Sequence, residues 1–294
     1  MPKIGGVITA ILTPFNEDGR PNEKAIGGLL DYILAGGIDG LYILGTTGLG
    51  PLMSVEERKL IAEAMVTTAG KRVVRIIHVG GLVVQDILSL ARHAEQIGAD
   101  AVACLTPFYY HLDTKALEEF YAKIAGATSL PILLYNIPQN TGYNIKPETI
   151  AAIVERVPSV AGIKDSSGIL AQLMETQYLL GNSFAVLNGS DRLVLPTLAA
   201  GLAGSVTALS NVAPKLVKDI DTAYRSGDHA KALQNQRNVA QLANALGEKL
   251  IPALYTLLNN KGINVGKPKP PLTPLKKQEE QEILQKTSKI PIET

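Results

Sequence analysis

An apolar run of the chain, Val160-Ala161-Gly162-Ile163, ends in Lys164 and is followed by Asp165. Removed from water, an ammonium is disfavoured, and the neutral amine that results attacks a carbonyl carbon to form an imine. The same placement also suits a lysine with a buried stem and a solvated head, or one paired with Asp165. A second run ends Leu133-Leu134-Tyr135-Asn136, placing a phenol where it can move protons at a substrate oxygen or carbon. A core tyrosine with a satisfied hydroxyl is the plainer alternative there. In Gly45-Thr46-Thr47-Gly48-Leu49-Gly50-Pro51, glycines flank two threonines, so backbone N–H groups and hydroxyls can turn inward. That suits a small carboxylate and a hydroxyl relay, although a barrel needs tight turns in any case. Thr106-Pro107-Phe108-Tyr109-Tyr110-His111 concentrates aromatics in a chain with only 5% of them, as a pocket wall or a subunit contact would.

These residues sit at the ends of short apolar runs, and the runs recur. They cover residues 7–12, 40–44, 73–79, 101–105, 131–136, 160–164, 184–187 and 205–209. Most are continuously apolar, as strands buried on both faces of a parallel sheet are. Amphipathic stretches alternate with them, at 23–35, 55–69, 84–97, 114–127, 146–157, 169–180, 193–200 and 214–226. Ser54, followed by Glu56 and Glu57, reads as a helix N-cap, and Gly36-Gly37, Gly70 and Gly98 read as helix stops. About eight strand–helix alternations predict an α/β fold of the TIM (β/α)8 type, with its active site at the C-terminal ends of the strands. A doubly wound open sheet is the alternative, but no G-x-G-x-x-G turn follows the first strand. Residues 1–226 are expected to form the barrel and 227–294 a C-terminal helical extension packed on it. That extension has helices at 230–246, 251–258 and 276–286, a Pro/Lys loop at 266–271, and a loose tail from Ser288.

With 28 basic and 27 acidic residues the net charge is +1, which gives no electrostatic reason to expect nucleic acid or an anionic membrane as partner. No apolar run is long enough to cross a bilayer, and Met1-Pro2-Lys3-Ile4-Gly5 leads into the first strand without a signal-peptide core. The single cysteine, Cys104, has no internal partner; a buried structural thiol is expected there, and a reactive one is the alternative. A cytoplasmic protein is therefore expected. The histidines (His78, His93, His111 and His229) are scattered, and no cluster has metal-ligand spacing. Gly189-Ser190-Asp191 and Gly204-Ser205 lie where many barrels bind phosphate, and they suit a polar substrate tail equally well.

Taken in order, these motifs resemble the dihydrodipicolinate synthase and N-acetylneuraminate lyase family of metal-free, pyruvate-handling barrels. The similarity runs from Ile8-Thr9-Ala10-Ile11-Leu12-Thr13-Pro14-Phe15 to Pro270-Pro271-Leu272-Thr273-Pro274-Leu275. Gly45-Thr46-Thr47-Gly48, Tyr135-Asn136-Ile137-Pro138, Gly162-Ile163-Lys164-Asp165 and Asn188-Gly189-Ser190-Asp191 carry it. The resemblance implies that Lys164 forms the imine with the 2-keto acid and that Tyr135 is the acid/base. It implies that Thr46 and Thr47 bind the carboxylate and relay protons, with Thr47 assisting Tyr135. Tyr109 corresponds to a tyrosine that some members contribute across a tight dimer interface to complete a catalytic proton relay with Tyr135 and Thr47, and Gly189 and Val206 to pocket-lining, substrate-binding positions. A homotetramer built as a dimer of dimers, with small-molecule 2-keto acid and aldehyde as partners and no cofactor beyond the imine, follows from the same resemblance.

The departures bear on substrate. Dihydrodipicolinate synthases usually have Glu where this chain has Leu49, and an Arg where it has Asn140. An amide does not replace a bidentate guanidinium for a carboxylate. The loop through Pro51, Val79-Gly80-Gly81-Leu82 and the Lys-Pro-Lys-Pro-Pro segment look like archaeal 2-keto-3-deoxygluconate aldolases. Members of that group that take the 6-phosphate carry an Arg after the aromatic run, where this chain reads Tyr110-His111-Leu112-Asp113. Cleavage of 2-keto-3-deoxygluconate to pyruvate and glyceraldehyde is thus the expected activity. Dihydrodipicolinate synthase, 4-hydroxy-2-oxoglutarate aldolase and a non-catalytic 2-keto-acid-binding barrel are the alternatives.

Overall fold

The computed structural model describes residues 4–292, so Met1–Lys3 and the last two residues of the expected tail lie outside it. Eight strands close into a parallel barrel in sequence order: β1 (Gly6–Ala10), β2 (Gly40–Ile43), β3 (Val74–His78), β4 (Ala101–Leu105), β5 (Ile132–Asn136), β6 (Val160–Asp165), β7 (Ala185–Asn188) and β8 (Gly204–Thr207). β8 pairs back onto β1, with Val206 opposite Ile8, so no described strand is left as an edge. This is the TIM barrel expected from the alternation, and the open doubly wound sheet is excluded.

Helices α1 (Ile26–Ala35), α2 (Val55–Ala69), α3 (Val84–Gln96) and α4 (Thr114–Ala125) follow the first four strands. A short α5 (Pro138–Thr141), which the hydrophobic pattern did not predict, precedes α6 (Pro147–Arg156). Then come α7 (Leu170–Leu180), α8 (Val194–Ala199) and α9 (Pro214–Arg225). The predicted cap of α2 is present: Ser54 accepts from the Glu57 N–H, and the Glu57 carboxylate accepts from the Ser54 N–H. Gly37, Gly70 and Gly98 take positive φ at or just after helix ends, as stop residues do.

Strand alternation separates two apolar clusters. Residues such as Ile8, Ile76, Ala103, Leu133 and Leu187 fill the barrel interior. Leu41, Ile77, Cys104, Leu134 and Val186 face the helices in a larger outer core. Cys104 is wholly buried and burial pushes its thiol far above the usual range, so it is the inert structural cysteine.

Beyond α9 come α10 (His229–Leu246), α11 (Leu250–Asn260) and α12 (Lys277–Thr287). The segment after α11 is fastened to the first βα loop. The Tyr255 hydroxyl donates to the Thr13 carbonyl at 2.6 Å and the Phe15 N–H to the Val265 carbonyl at 3.1 Å. Lys269 pairs with Glu57 at 2.7 Å. Ile290 is buried and Ile292 packs on the outer core, so residues 288–292 are not the loose tail expected. Two isoleucines spaced by one residue supply the apolar side that a free tail lacks.

Candidate active site

Lys164 points into the barrel because of an irregularity in β6. Ile132 is level with Val160, but Leu133 is level with Gly162, so Ala161 is an extra residue in the strand. Val160 belongs to the outer core. Strict alternation from it would turn Lys164 outward as well, and the bulge reverses that parity. Lys164 thus comes level with Tyr135 on one side and Leu187 on the other, both inward-facing. Gly162 lets the strands close around this irregularity: a Cβ there would lie 2.6 Å from the Ala185 carbonyl oxygen.

The Lys164 side chain is 4% exposed. Its Nζ lies 4.2 Å from the ring centroid of Tyr42 and 4.2 Å from that of Tyr135. Among the described residues it has no salt bridge and no hydrogen bond. Pairing with Asp165 is therefore excluded. Asp165 faces out of the barrel, where it accepts from Asn136 at 2.9 Å, Gln172 at 2.7 Å and the Ser167 N–H at 2.7 Å. With Asn144 joining Asn136 and Gln172, this polar knot fixes the ends of β5 and β6 from behind. Two aromatic faces without a carboxylate leave the lysine nitrogen unblocked.

Tyr135 is 1% exposed, and its hydroxyl lies 3.2 Å from Oγ1 of Thr46. The structure thus places Thr46 beside Tyr135, where Thr47 had been expected to assist it. Thr47 is buried at 8% exposure, and among the described residues its hydroxyl has no hydrogen bond, which leaves it for a ligand. Two left-handed leucines, Leu44 at φ 64° and Leu49 at φ 56°, bracket this loop. Thr13 donates to the Gly48 carbonyl at 2.7 Å and ties the loop to β1.

Val206 is an inward residue of β8, and Gly189 follows β7 with its N–H on the Asp165 carbonyl at 2.7 Å. Nearby Asp191 accepts from the Leu209 N–H at 3.0 Å and the Ala208 N–H at 3.3 Å. Burial raises its pKa from 3.8 to about 6, while the two N–H groups and the Lys164 charge pull the other way. Phe108 packs on the interior cluster, as a pocket wall would. Tyr109 is different: at φ 78° and 82% exposed, it stacks edge-on against Tyr110 at 5.1 Å, away from the lysine of its own chain. Of the residues selected from sequence, it is the one that this fold leaves outside the cluster.

Three residues at the site were not selected from sequence for a role: Tyr42, His78 and Arg58. Tyr42 carried a signal, being the polar member of β2 on the same parity as the barrel interior. Arg58 carried none, because its place in a charged helix turn reads as solvated. Size would not have found the site either. A cleft of about 740 Å³ opens at the N-terminal end of the barrel, beside Asp39, Lys218 and Asp221. There Lys218 is already paired with both carboxylates. Among the described residues, no three His, Cys, Asp or Glu side chains are grouped to hold a metal, and no helix is long and apolar enough to cross a membrane.

Residues 3–290 match the model of the dihydrodipicolinate synthetase family. A 4-hydroxy-tetrahydrodipicolinate synthase of Chelativorans sp. (strain BNC1) is 36% identical over 241 residues, 82% of each chain. A probable 2-dehydro-3-deoxy-D-pentonate aldolase of Escherichia coli (strain K12) is 34% identical over 260 residues, 87% of this chain and 83% of the other. Among solved structures, a prophage protein of the dihydrodipicolinic acid synthase family from E. coli K12, in complex with pyruvate, superimposes with a TM-score of 0.93 at 26% identity, over 98% of this chain and 99% of that one. Proteus mirabilis N-acetylneuraminate lyase gives 0.93 at 29% identity, over 99% of this chain and all of its own.

Proposed function

The chain belongs to the dihydrodipicolinate synthetase family of class I pyruvate-dependent aldolases, and on that premise we propose that this lyase cleaves 2-keto-3-deoxygluconate to pyruvate and glyceraldehyde. The Lys164 nitrogen gives up a proton and adds to C2 of the keto acid, and the carbinolamine hydroxyl takes a proton in turn and leaves as water, which gives a cationic iminium. Tyr135 takes the proton of the C4 hydroxyl, the C3–C4 bond breaks, and its electron pair moves into the iminium to give a neutral enamine. The aldehyde departs, C3 is reprotonated, and water releases pyruvate. Thr46 hands the proton on from Tyr135, and Thr47 with the loop N–H groups takes the substrate carboxylate. Tyr109 serves a neighbouring subunit of a homotetramer, and the described part of the extension, residues 227–292, braces the first βα loop.

The observation that carries the imine chemistry is the position of the Lys164 nitrogen, against the rings of Tyr42 and Tyr135 and with no ion pair among the described residues. The preference for a sugar acid rests on Asp191, whose carboxylate accepts hydroxyl protons and repels a second substrate carboxylate. The guanidinium of the neighbouring Arg192 is turned to Asn244 on α10, to which it donates at 2.7 Å. Asn140, at the position of the missing guanidinium, is exposed on α5. The names of several relatives favour a second reading, condensation of pyruvate with aspartate semialdehyde as in 4-hydroxy-tetrahydrodipicolinate synthase. A 4-hydroxy-2-oxoglutarate aldolase would want a cation for its distal carboxylate, and Asn140 does not supply one.

Pyruvate with borohydride is expected to add a reduced pyruvyl mass to the peptide bearing Lys164, and Lys164→Ala to lose it. A panel of aldehydes with pyruvate then separates the readings. Efficient condensation of aspartate semialdehyde by the unaltered protein would overturn the sugar-acid assignment.

A further inference from the structure

Two polar side chains buried beneath the threonine loop have no part in the imine chemistry. Arg58, in the first turn of α2, is 5% exposed and has no carboxylate partner among the described residues. Its guanidinium donates to the Gly80 carbonyl at 3.0 Å and the His78 carbonyl at 2.8 Å, fixing the path of the chain where β3 ends. His78, the last residue of β3, stands level with the inward-facing Ala103 and is 1% exposed. Its ring meets that of Tyr135 edge-on, 5.7 Å between centroids.

Burial, with the positive charges of Arg58 and Lys164, holds the imidazole well below its ordinary value of 6.5, so the ring is neutral and carries one proton. The Leu44 carbonyl, 3.1 Å from Nδ1, only accepts. The proton therefore sits on Nδ1, and the Nε2 lone pair is left without a partner among the described residues. Gly80 closes over that nitrogen, since a Cβ there would lie 2.8 Å from it.

The acceptor matters more than the tautomer. Leu44 connects β2 to Gly45-Thr46-Thr47-Gly48 in a left-handed conformation at φ 64°, which a leucine adopts only under constraint. Gly50 makes room for the resulting carbonyl, because a Cβ there would lie 1.9 Å from the Leu44 oxygen. The Thr46 and Thr47 hydroxyls inherit their placement from this turn. We propose that His78 is a positioning residue, whose Nδ1–H locks the Leu44 turn and so sets Thr46 against Tyr135 and Thr47 against the substrate carboxylate, with Arg58 anchoring the main chain that carries it. The proposal rests on reading the threonine loop as the carboxylate site of the keto acid.

Two variants and one measurement on the unaltered protein test it. His78→Phe keeps a ring and removes the donor; the pyruvate concentration that half-saturates adduct formation on Lys164 should rise roughly tenfold, with the limiting trapping rate changed much less. His78→Asn, whose amide N–H can reach the same carbonyl, should recover most of that loss. A purely structural role would lower thermal stability without this split, so half-saturation by His78→Phe at the unaltered concentration overturns the proposal. Should His78→Phe fail to fold, nitrogen-15 NMR of the histidines decides, with the His78 signals identified by their loss in His78→Asn. A neutral ring protonated on Nδ1 supports the proposal, and an Nε2–H tautomer or a protonated ring overturns it. If the unaltered protein forms no adduct with pyruvate, the functional reading fails, whereas the tautomer still reports on the lock.

Discussion

Replacing Gly189 by alanine tests how closely the ends of β6 and β7 must approach. Gly189 has no unusual φ, so its need for glycine is one of space alone. An added Cβ would fall 2.0 Å from Ser166 Oγ, 3.0 Å from Ser166 Cβ and 3.1 Å from Ser166 Cα. The hydroxyl can rotate away, but the Cβ and the main chain cannot. Ordinary carbon contacts are about 3.5–4.0 Å, so the two strand ends must part by roughly half an ångström. Overpacking of this kind costs about 1–3 kcal/mol. At about 2 cal/mol/K of unfolding entropy per residue, a chain of 294 residues should lose about 2–5 °C in Tm. Ser166 lies two residues beyond Lys164, so the displacement reaches the lysine, and kcat/KM should fall about ten- to a hundredfold. Adding Ser166→Gly removes the Oγ and Cβ and should restore part of both losses, a coupling of about 1 kcal/mol. Thermal melts and borohydride trapping measure the two effects. A Gly189→Ala protein with unaltered Tm and trapping, or a double variant no better than the single one, would refute the reasoning.

Ser54→Ala removes one half of the α2 capping box and should cost about 1 kcal/mol, seen as a small drop in Tm with adduct formation unchanged. Asp191 ionises near pH 6 in the folded protein, against 3.8 for the ordinary carboxyl, so the folded state holds this proton more tightly than the unfolded one. Stability contributed by the protonated form is therefore lost as pH rises from about 4 through about 6. The Tm difference between wild type and Asp191→Asn should shift against wild type across that window, and parallel curves would count against the burial argument. Asn140→Arg supplies the guanidinium that a distal carboxylate needs and should improve condensation with aspartate semialdehyde by about tenfold, read by coupling product formation to pyruvate loss.

The fold was legible because alternation of apolar runs and amphipathic stretches records which faces are buried, and eight such units leave few architectures. Lys164 and Tyr135 stood out in the sequence because a polar residue closing an apolar strand is costly unless it has a use, and the structure buries both. Adjacency in sequence proved a poor guide to adjacency across the barrel. Thr46 and Thr47 are indistinguishable in a Gly-Thr-Thr-Gly string, and only the left-handed turn at Leu44 decides which hydroxyl reaches Tyr135. Arg58 was hidden because its burial comes from the βα corner of a neighbouring strand rather than from its own helix. Tyr109 shows the opposite limit. Its sequence context marks it as special, yet a single chain leaves it in solvent.

The extra residue at Ala161 gives β6 something like a reading frame. Substitutions along the strand change what is presented to each side, but the bulge between Val160 and Gly162 decides which side is addressed. Deleting Ala161 would leave Gly162 and the lysine inward. Plain alternation through the strand with Ala161 in place would instead turn Ile163 and Asp165 toward the barrel and the lysine toward the helices, with every residue of the Gly-Ile-Lys-Asp motif still present in the sequence. A motif match alone would miss that difference. The facing of Lys164 is thus encoded in how this strand accommodates its extra residue as firmly as in the identity of its residues.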